Sequence, residues 1–218
     1  MKKILGILIL LGSAAQAAPA DTTSAQAIPV APLAQQAQAA KLSAEILTRN
    51  HYKKVPLDDA MSAKIFDRFL KDIDGEKLYF MQSDIDGLSG VRTKLDDAIY
   101  HDDLQVPFAI FNLYQKRMFE RLAYSSELLK KGFDFSENET YEIAREKAAW
   151  PVSQTALHDL WRKRAKSDWL RLKLAGSNDK AIRTTLAKRY EHALTGAKKI
   201  KSDRRIEMSN SSDALAPR

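Results

Sequence analysis

The segment 42–85 constrains the fold most, because its apolar residues recur at helical spacing between clear start and stop signals. Side chains three and four residues apart share one face of an α-helix, whereas a strand requires strict alternation. Pro56 interrupts the first apolar stripe, Asp58 follows as a helix N-cap, and Asp74-Gly75 ends the second stripe. The two stripes are Leu42, Ile46 and Leu47, then Met61, Ile65, Phe66, Phe69, Leu70 and Ile73. The segment therefore predicts two helices, of which the first begins at Lys41.

The same period returns in four later segments. Their predicted spans are Ser83 or Asp84 to Tyr100, about Pro107 to Lys131, Ser153 to Gly176, and Asn178 or Asp179 to Gly196. The helix that ends at Lys131 has the broadest apolar stripe, so we expect it to be central to the core. The prediction is an all-α, irregular bundle of about five or six helices with disordered N- and C-terminal tails.

Aromatic residues mark the one long connection. The helical period disappears over residues 133–151, which contain Phe133, Phe135, Tyr141 and Trp150. Such a connection is expected to pack on the helices. Trp161 and Trp169 follow on the next helix, eight residues apart and therefore near one face. This spacing favours core anchors over a clamp for a substrate.

The N-terminus has the pattern of a secretory signal peptide. Two lysines precede an apolar run and a small-residue site, which predicts a signal peptide over residues 1–17 with cleavage between Ala17 and Ala18. A retained N-terminal anchor is the alternative, although the apolar run is far shorter than the ~20 residues of a membrane span. We expect a flexible leader over residues 18–37, a helical domain over 38–196, and a disordered tail over 197–218.

Composition narrows the function classes. The chain has 35 basic and 28 acidic residues, and loss of Lys2 and Lys3 with the signal leaves 33 against 28, a charge of +5. Acidic residues interleave with the basic ones and an export signal is present, so a nucleic-acid partner is not expected. The absence of cysteine excludes a lipid-bearing thiol, disulfides and the commonest zinc sites.

The residues give no strong case for catalysis. A Ser-x-x-Lys match occurs at Ser177-Asn178-Asp179-Lys180, but the motif is short and its polar residues have a complete alternative role as a helix cap, which is favoured over catalysis. Three adjacent aspartate pairs lie near predicted helix ends, which favours capping or solvation over acid–base work. The pairs are Asp58-Asp59, Asp96-Asp97 and Asp102-Asp103. No catalytic residue is predicted.

Metal and nucleotide sites are not predicted either. The histidines His51, His101, His158 and His192 are too widely spaced to share an ion at one helical turn. Asp72-x-Asp74 and Asp84-x-Asp86 have their glycine in the wrong position for a calcium loop. Gly87-x-x-Gly90 has no preceding strand, as a phosphate-binding loop requires. The predicted cofactor set is therefore empty.

Several dispersed segments resemble one family. They are TRNHYK (48–53), LDDAMSAKIFDRFL (57–70), LYFMQSDI (78–85), FNLYQKRMFER (111–121), FDFSENETYEIAREKAAWP (133–151) and LKLAGSNDKAIRTTLAKRY (172–190). In this order they resemble the N-terminal helical domain of the periplasmic tail-specific proteases, which are C-terminal processing serine peptidases. The resemblance covers about Leu42 to Lys201. After Gly196 the sequence departs from the family, whose members continue with a further helix.

The resemblance implies a function that composition does not. It implies an accessory domain that flanks a Ser-Lys peptidase core and a PDZ domain, and that is itself catalytically inert. Its partners are expected to be protein substrates or a periplasmic adaptor protein, with no nucleic acid and no transmembrane segment after signal cleavage. Two hypotheses stay open: a truncated form of the protease, or a stand-alone periplasmic binding module or regulator of a full-length protease.

Overall fold

Helices make up the whole regular structure of the described chain. The computed structural model describes residues 29–50, 52 and 55–213, with residues 197–213 described by their backbone alone. Within these residues there are seven α-helices, one 3-10 turn (Ser89–Val91) and no strand. The helices are α1 (Ala34–Asn50), α2 (Asp59–Asp74), α3 (Gln82–Leu88), α4 (Leu95–Tyr100), α5 (Gln105–Lys131), α6 (Gln154–Leu174) and α7 (Asp179–Asp213). The all-α prediction is confirmed, with one α-helix more than the upper estimate.

Two apolar clusters share the long helix α5. The three-helix core joins α5, α6 and α7, and its buried members include Phe119, Leu122, Leu157, Trp161, Trp169, Ile182 and Leu186. The smaller cluster joins α2, α4 and α5 through Phe66, Leu70, Phe80, Leu95 and Ile110. Because α5 contributes to both clusters, the prediction that this helix is central is confirmed.

Helix ends follow the expected capping chemistry. The side-chain oxygens of Asp58, Ser153 and Asn178 accept hydrogen bonds from backbone amides three residues further on, at 2.9, 3.1 and 2.9 Å. Gly132 and Gly176 follow α5 and α6 with φ of 78° and 87°, a conformation that glycine adopts without a Cβ clash. These residues therefore end their helices as the sequence predicts.

The first helix begins seven residues before the predicted Lys41. Residues 34–40 are alanine and glutamine, both good helix formers, and Leu33 donates its amide to the side chain of Gln36 at 3.0 Å. Val30 and Ala37 are buried. Part of the expected flexible leader, residues 34–37, is therefore helical; the signal peptide and cleavage site at Ala17 and Ala18 lie outside the described residues.

The predicted third helix is divided in two. It breaks between Leu88 and Leu95, where Gly87 and Gly90 weaken helical propensity. The buried hydroxyl of Ser62 on α2 accepts from the amide of Leu95 at 2.8 Å and donates to the carbonyl of Arg92 at 3.1 Å. These two hydrogen bonds satisfy backbone groups that a continuous helix would have paired internally.

The last helix runs past its predicted end. Gly196 lies inside α7, which continues to Asp213, so residues 197–213 of the expected disordered tail have a helical backbone. A glycine inside a helix costs about 1 kcal/mol, which the alanine, lysine and arginine residues that follow it offset through high helix propensity. Residues 214–218 lie outside the described chain.

Candidate interaction surface

An apolar groove lies between α1 and the α2–α4 side of the bundle. Its volume is about 460 Å³. Six apolar side chains line most of it: Leu47, Val55, Leu57, Met61, Ile65 and Ile99. Clefts of this size with apolar walls are typical of sites that receive an apolar side chain or a short segment of a partner.

The C-terminal half of α1 adds an exposed apolar ridge beside this groove. Leu42, Ile46 and Leu47 are 58%, 50% and 62% exposed. The sequence places these residues on one face of a helix, and the structure shows that this face contacts solvent to a large extent. Contiguous exposed apolar side chains are uncommon on monomeric soluble proteins unless they serve a contact. We therefore take the ridge and the groove together as the candidate interaction surface.

Polar contacts hold α1 at its N-terminal end. The amide of Val30 donates to Oδ1 of Asn112 on α5 at 2.8 Å, and Nδ2 of Asn112 donates back to the carbonyl of Val30 at 2.8 Å. Lys41 forms an ion pair with Asp102 at 3.2 Å. The ridge begins at Leu42, directly after this last contact, so the helix is fixed at one end and presents its apolar side at the other.

A buried carboxylate organises the turn after α2. Asp74 is 3% exposed, and its two oxygens accept from the backbone amides of Leu78, Tyr79 and Phe80 at 2.8, 3.0 and 3.0 Å. Burial raises the pKa of Asp74 to about 6, although the three amide donors oppose that rise. Leu78 and Phe80 belong to the two different apolar clusters. Asp74 therefore fixes the segment that joins them.

The sequence identifies Asp74 only as the residue of a turn. Its position before Gly75 gives that signal. Its burial depends on α6, because Trp161 donates its indole N–H to the carbonyl of Leu78 at 2.6 Å and so covers the turn. No short-range pattern reports a contact between residues this far apart in sequence.

A second cluster of charges connects α3 to the interior of α5. Asp84 accepts from Arg117 at 3.0 and 2.7 Å and from the amide of Met81 at 2.9 Å, so it caps α3 from within. Glu120 then accepts from both Arg117 and Arg121 at 3.0 Å. Burial lowers the pKa of Arg121, which is 1% exposed. The helix is expected to start at Ser83 or Asp84, whereas its N-cap is Met81 and Asp84 bonds back to that residue from the first turn; the buried arginine is not evident from sequence.

The Ser-x-x-Lys match forms the turn between α6 and α7. The amide of Ser177 donates to the carbonyl of Leu172 at 3.1 Å, and Asn178 caps α7. The capping interpretation is confirmed for Asn178. Lys180 is an exposed residue of the first turn of α7.

Capping or solvation is predicted for three aspartate pairs, and the structure contradicts it for Asp96. Asp58 caps α2, and Asp103 accepts from the amide of Gln105 at the start of α5 at 2.9 Å. Asp96 is only 7% exposed and its side chain does not cap a helix, so capping or solvation is wrong for this residue. Asp96 lies on α4, which packs against α1, α2 and α5, and sequence spacing does not report that packing.

Two histidines and two tryptophans make packing or hydrogen-bond contacts within the fold. His101 contacts the carbonyl of Asp97, and His158 stacks on Tyr124 with ring centroids 4.2 Å apart. Within the described residues, no group of three or more potential ligands is placed to hold a metal ion; His51 lies outside them. Trp161 and Trp169 are 1% and 2% exposed, so their prediction as core anchors is confirmed.

The helices and the sequence of the chain bear on its class. None of the helices that the structure describes is both long enough and apolar enough to cross a membrane. The family model described as the tail specific protease N-terminal domain matches residues 43–214. The match extends 13 residues beyond Lys201, so the expected departure from the family after Gly196 is wrong.

A curated relative agrees with the family model. The tail-specific protease of Haemophilus influenzae is 40% identical to this chain over 166 residues. The aligned part is 76% of this chain and 24% of the relative, so the chain spans about a quarter of that protein's length. The matched family region contains α2 to α7 and the part of α1 that carries Ile46 and Leu47. The chain therefore belongs to the tail-specific protease N-terminal domain family.

Proposed function

We propose that this chain is a non-catalytic helical domain that contacts protein partners in C-terminal processing by a periplasmic tail-specific protease. The observation that carries the proposal is the family match over residues 43–214, together with an apolar ridge and groove that the described residues leave uncovered. Protein substrates and an adaptor protein are the partners that the family implies. The apolar side chains Ile46 and Leu47 supply the contact.

The proposed location is the periplasm. Its support is the N-terminal pattern, in which residues 1–17 form a signal peptide cleaved between Ala17 and Ala18. The leader that follows is then short, because Val30 already contacts α5 through Asn112. N-terminal sequencing of the exported protein tests this location, with Ala18 as the expected first residue. An intact Met1 would overturn it.

The contact itself is tested with a defined protein substrate that ends in an apolar tail. Fluorescence anisotropy of the labelled substrate measures its binding to the purified chain. Leu47→Glu places a charge in the groove and is expected to weaken binding by about tenfold or more. Ile143→Glu is the matched control, since Ile143 is 78% exposed and lies on the 133–151 connection away from the groove. Equal binding by both variants would refute the assignment of the groove.

The proposed absence of catalysis has its own test. The purified chain is incubated with the same substrate, and the products are measured by mass spectrometry. We expect no cleavage, because Ser177 and Lys180 form the turn and first helical residues between α6 and α7. Turnover that is lost in Ser177→Ala would contradict this proposal.

A further inference from the structure

Helix α6 carries six lysine and arginine side chains, and five of them have carboxylate partners. Arg162 and Lys166 share Glu139, whose pKa their hydrogen bonds lower to about 2. The other pairs are Lys163 with Asp159 at 2.9 Å, Arg171 with Asp168 at 2.8 Å and Lys173 with Asp179 at 3.3 Å. Ion pairing is therefore the rule on this helix.

Arg164 is the exception. Within the part of the chain that the structure describes, its guanidinium has no hydrogen bond and no ion pair. Asp168 lies one helical turn away, the spacing at which a carboxylate pairs with arginine, but it binds Arg171 instead. The buried carboxylate of Asp74 is within electrostatic range, yet three backbone amides occupy its oxygens. Arg164 therefore retains its donors.

The guanidinium is nevertheless held in place. Its central carbon lies 5.0 Å from the ring centroid of Trp161, which is a stacking distance. Trp161 is itself fixed, because it is 1% exposed and its indole N–H is bonded to the carbonyl of Leu78. Arg164 is half-buried, so part of it faces solvent. A guanidinium that is already stacked has less conformational freedom left to lose on binding than an exposed flexible side chain.

Two tyrosines lie beside α6. Tyr79 lies on the same tryptophan, with ring centroids 5.6 Å apart, and Tyr141 comes from the 133–151 connection. Burial raises the pKa of both tyrosines, and the charge of Arg164 opposes that rise. Both hydroxyls are protonated at neutral pH and can donate a hydrogen bond.

We propose that Arg164, held by its contact with Trp161, binds a carboxylate of a polypeptide partner. A guanidinium with its N–H donors unused matches the two oxygens of a carboxylate, and its stacking on Trp161 orients the fork. The inference rests on the proposed function only in that the partner is a polypeptide. It concerns a face formed by α6 and the segment after α2, separate from the apolar groove beside α1.

The test is an NMR titration of the full chain that follows the Nε–H of Arg164 and the indole N–H of Trp161. Three peptides share one neutral sequence frame: one has a free C-terminal carboxylate, one has an amidated C-terminus, and one is amidated but carries two glutamates. Acetate is titrated as the simplest carboxylate. We expect saturable shifts with acetate and with at least one carboxylate peptide. The peptide that binds identifies whether the carboxylate comes from a C-terminus or a side chain.

Variants separate this site from general charge attraction. Arg164→Gln is expected to weaken binding of the carboxylate peptide by about tenfold. Arg164→Lys keeps the positive charge but not the planar set of N–H donors. Its affinity for the peptide should lie between that of Arg164→Gln and that of the original protein. Lys173→Gln is the control on the same helix and should retain binding, because Lys173 pairs with Asp179 and leaves the Asp168–Arg171 pair intact. Circular dichroism checks that each variant is folded, and Arg164→Lys keeps the test valid if Arg164→Gln is not.

Three results would overturn the inference. They are equal shifts with the amidated neutral peptide, unchanged affinity in both Arg164 variants, and no response to acetate or any peptide at millimolar concentration. The Leu47→Glu and Ile143→Glu comparison uses other residues and an apolar contact. Failure of one experiment therefore leaves the other interpretable.

Discussion

The two sides of α5 differ in how completely their apolar side chains are covered. On one side, the three-helix core buries Trp161, Leu157 and Ile182 to 1% exposure or less. On the other, the N-terminal layer of α1, α2 and α4 leaves Leu42 and Leu47 more than half exposed and a groove open beside them. Both layers are built from amphipathic helices. This difference indicates that the bundle's stability is concentrated in α5, α6 and α7, while α1 retains apolar surface for contact.

Replacement of Trp161 by alanine should have the largest effect on stability. It removes a fully buried ring and its hydrogen bond to Leu78, and large aromatic-to-alanine changes in cores cost about 3–5 kcal/mol. Urea unfolding followed by circular dichroism measures the loss. A cost below about 1 kcal/mol would show that the three-helix core is not the main source of stability.

Asp74→Asn should change how stability depends on pH. The pKa of Asp74 is raised from 3.8 to about 6, so the folded state favours the neutral carboxyl. This stability is present below pH 3.8 and is lost as pH rises through 6, for a total of about 3 kcal/mol. Asparagine does not titrate, so the difference in unfolding free energy between the two proteins should change in that window.

The measurement for Asp74 is denaturant unfolding of both proteins at pH 4, 5, 6 and 7. Taking the difference removes the contribution of other carboxylates, including Glu139, whose depressed pKa acts in the opposite direction at lower pH. A constant difference from pH 4 to 7 would mean that the amide donors outweigh burial at Asp74.

Asn112→Ala should act on the N-terminal layer alone. It removes both hydrogen bonds to Val30, with an expected cost of about 1 kcal/mol. Amide hydrogen exchange should accelerate in α1 and stay unchanged in α6, because α1 is the element that the two bonds attach. Equal acceleration in both helices would show that the two layers open together.

Leu47→Ala should have the smallest effect on stability. The side chain is 62% exposed, so its truncation should change the free energy of unfolding by less than about 0.5 kcal/mol. Urea unfolding beside the original protein measures it. A loss near the 2–5 kcal/mol of a core leucine would place Leu47 in the folded interior and remove the contrast between the layers.

Local chemistry explains which parts of the fold the sequence predicts. Asp58, Ser153 and Asn178 cap helices through amides three residues away, so a short segment of sequence is enough to predict their role. The break between α3 and α4 depends on Ser62, which contacts backbone about thirty residues further along. The same limit applies to the buried states of Asp74 and Asp96, which depend on helices distant in sequence.

The candidate sites divide in the same way. The spacing of Leu42, Ile46 and Leu47 predicts a shared helix face, but not that this face stays uncovered. Arg164 resembles its basic neighbours in the sequence. Arg164 is unpaired because Asp168 binds Arg171, and its guanidinium stacks on Trp161. Only the three-dimensional structure shows these contacts.

The double membership of α5 also has a mechanical consequence. At 27 residues the helix is a rod about 40 Å long, with Ile110 in the cluster beside α2 and Leu129 in the three-helix core. Close-packed interiors deform little, so a pull on one end of the rod is carried along its axis to the other. A tension applied at Val30 would load Asn112 and so be carried along α5 into the three-helix core.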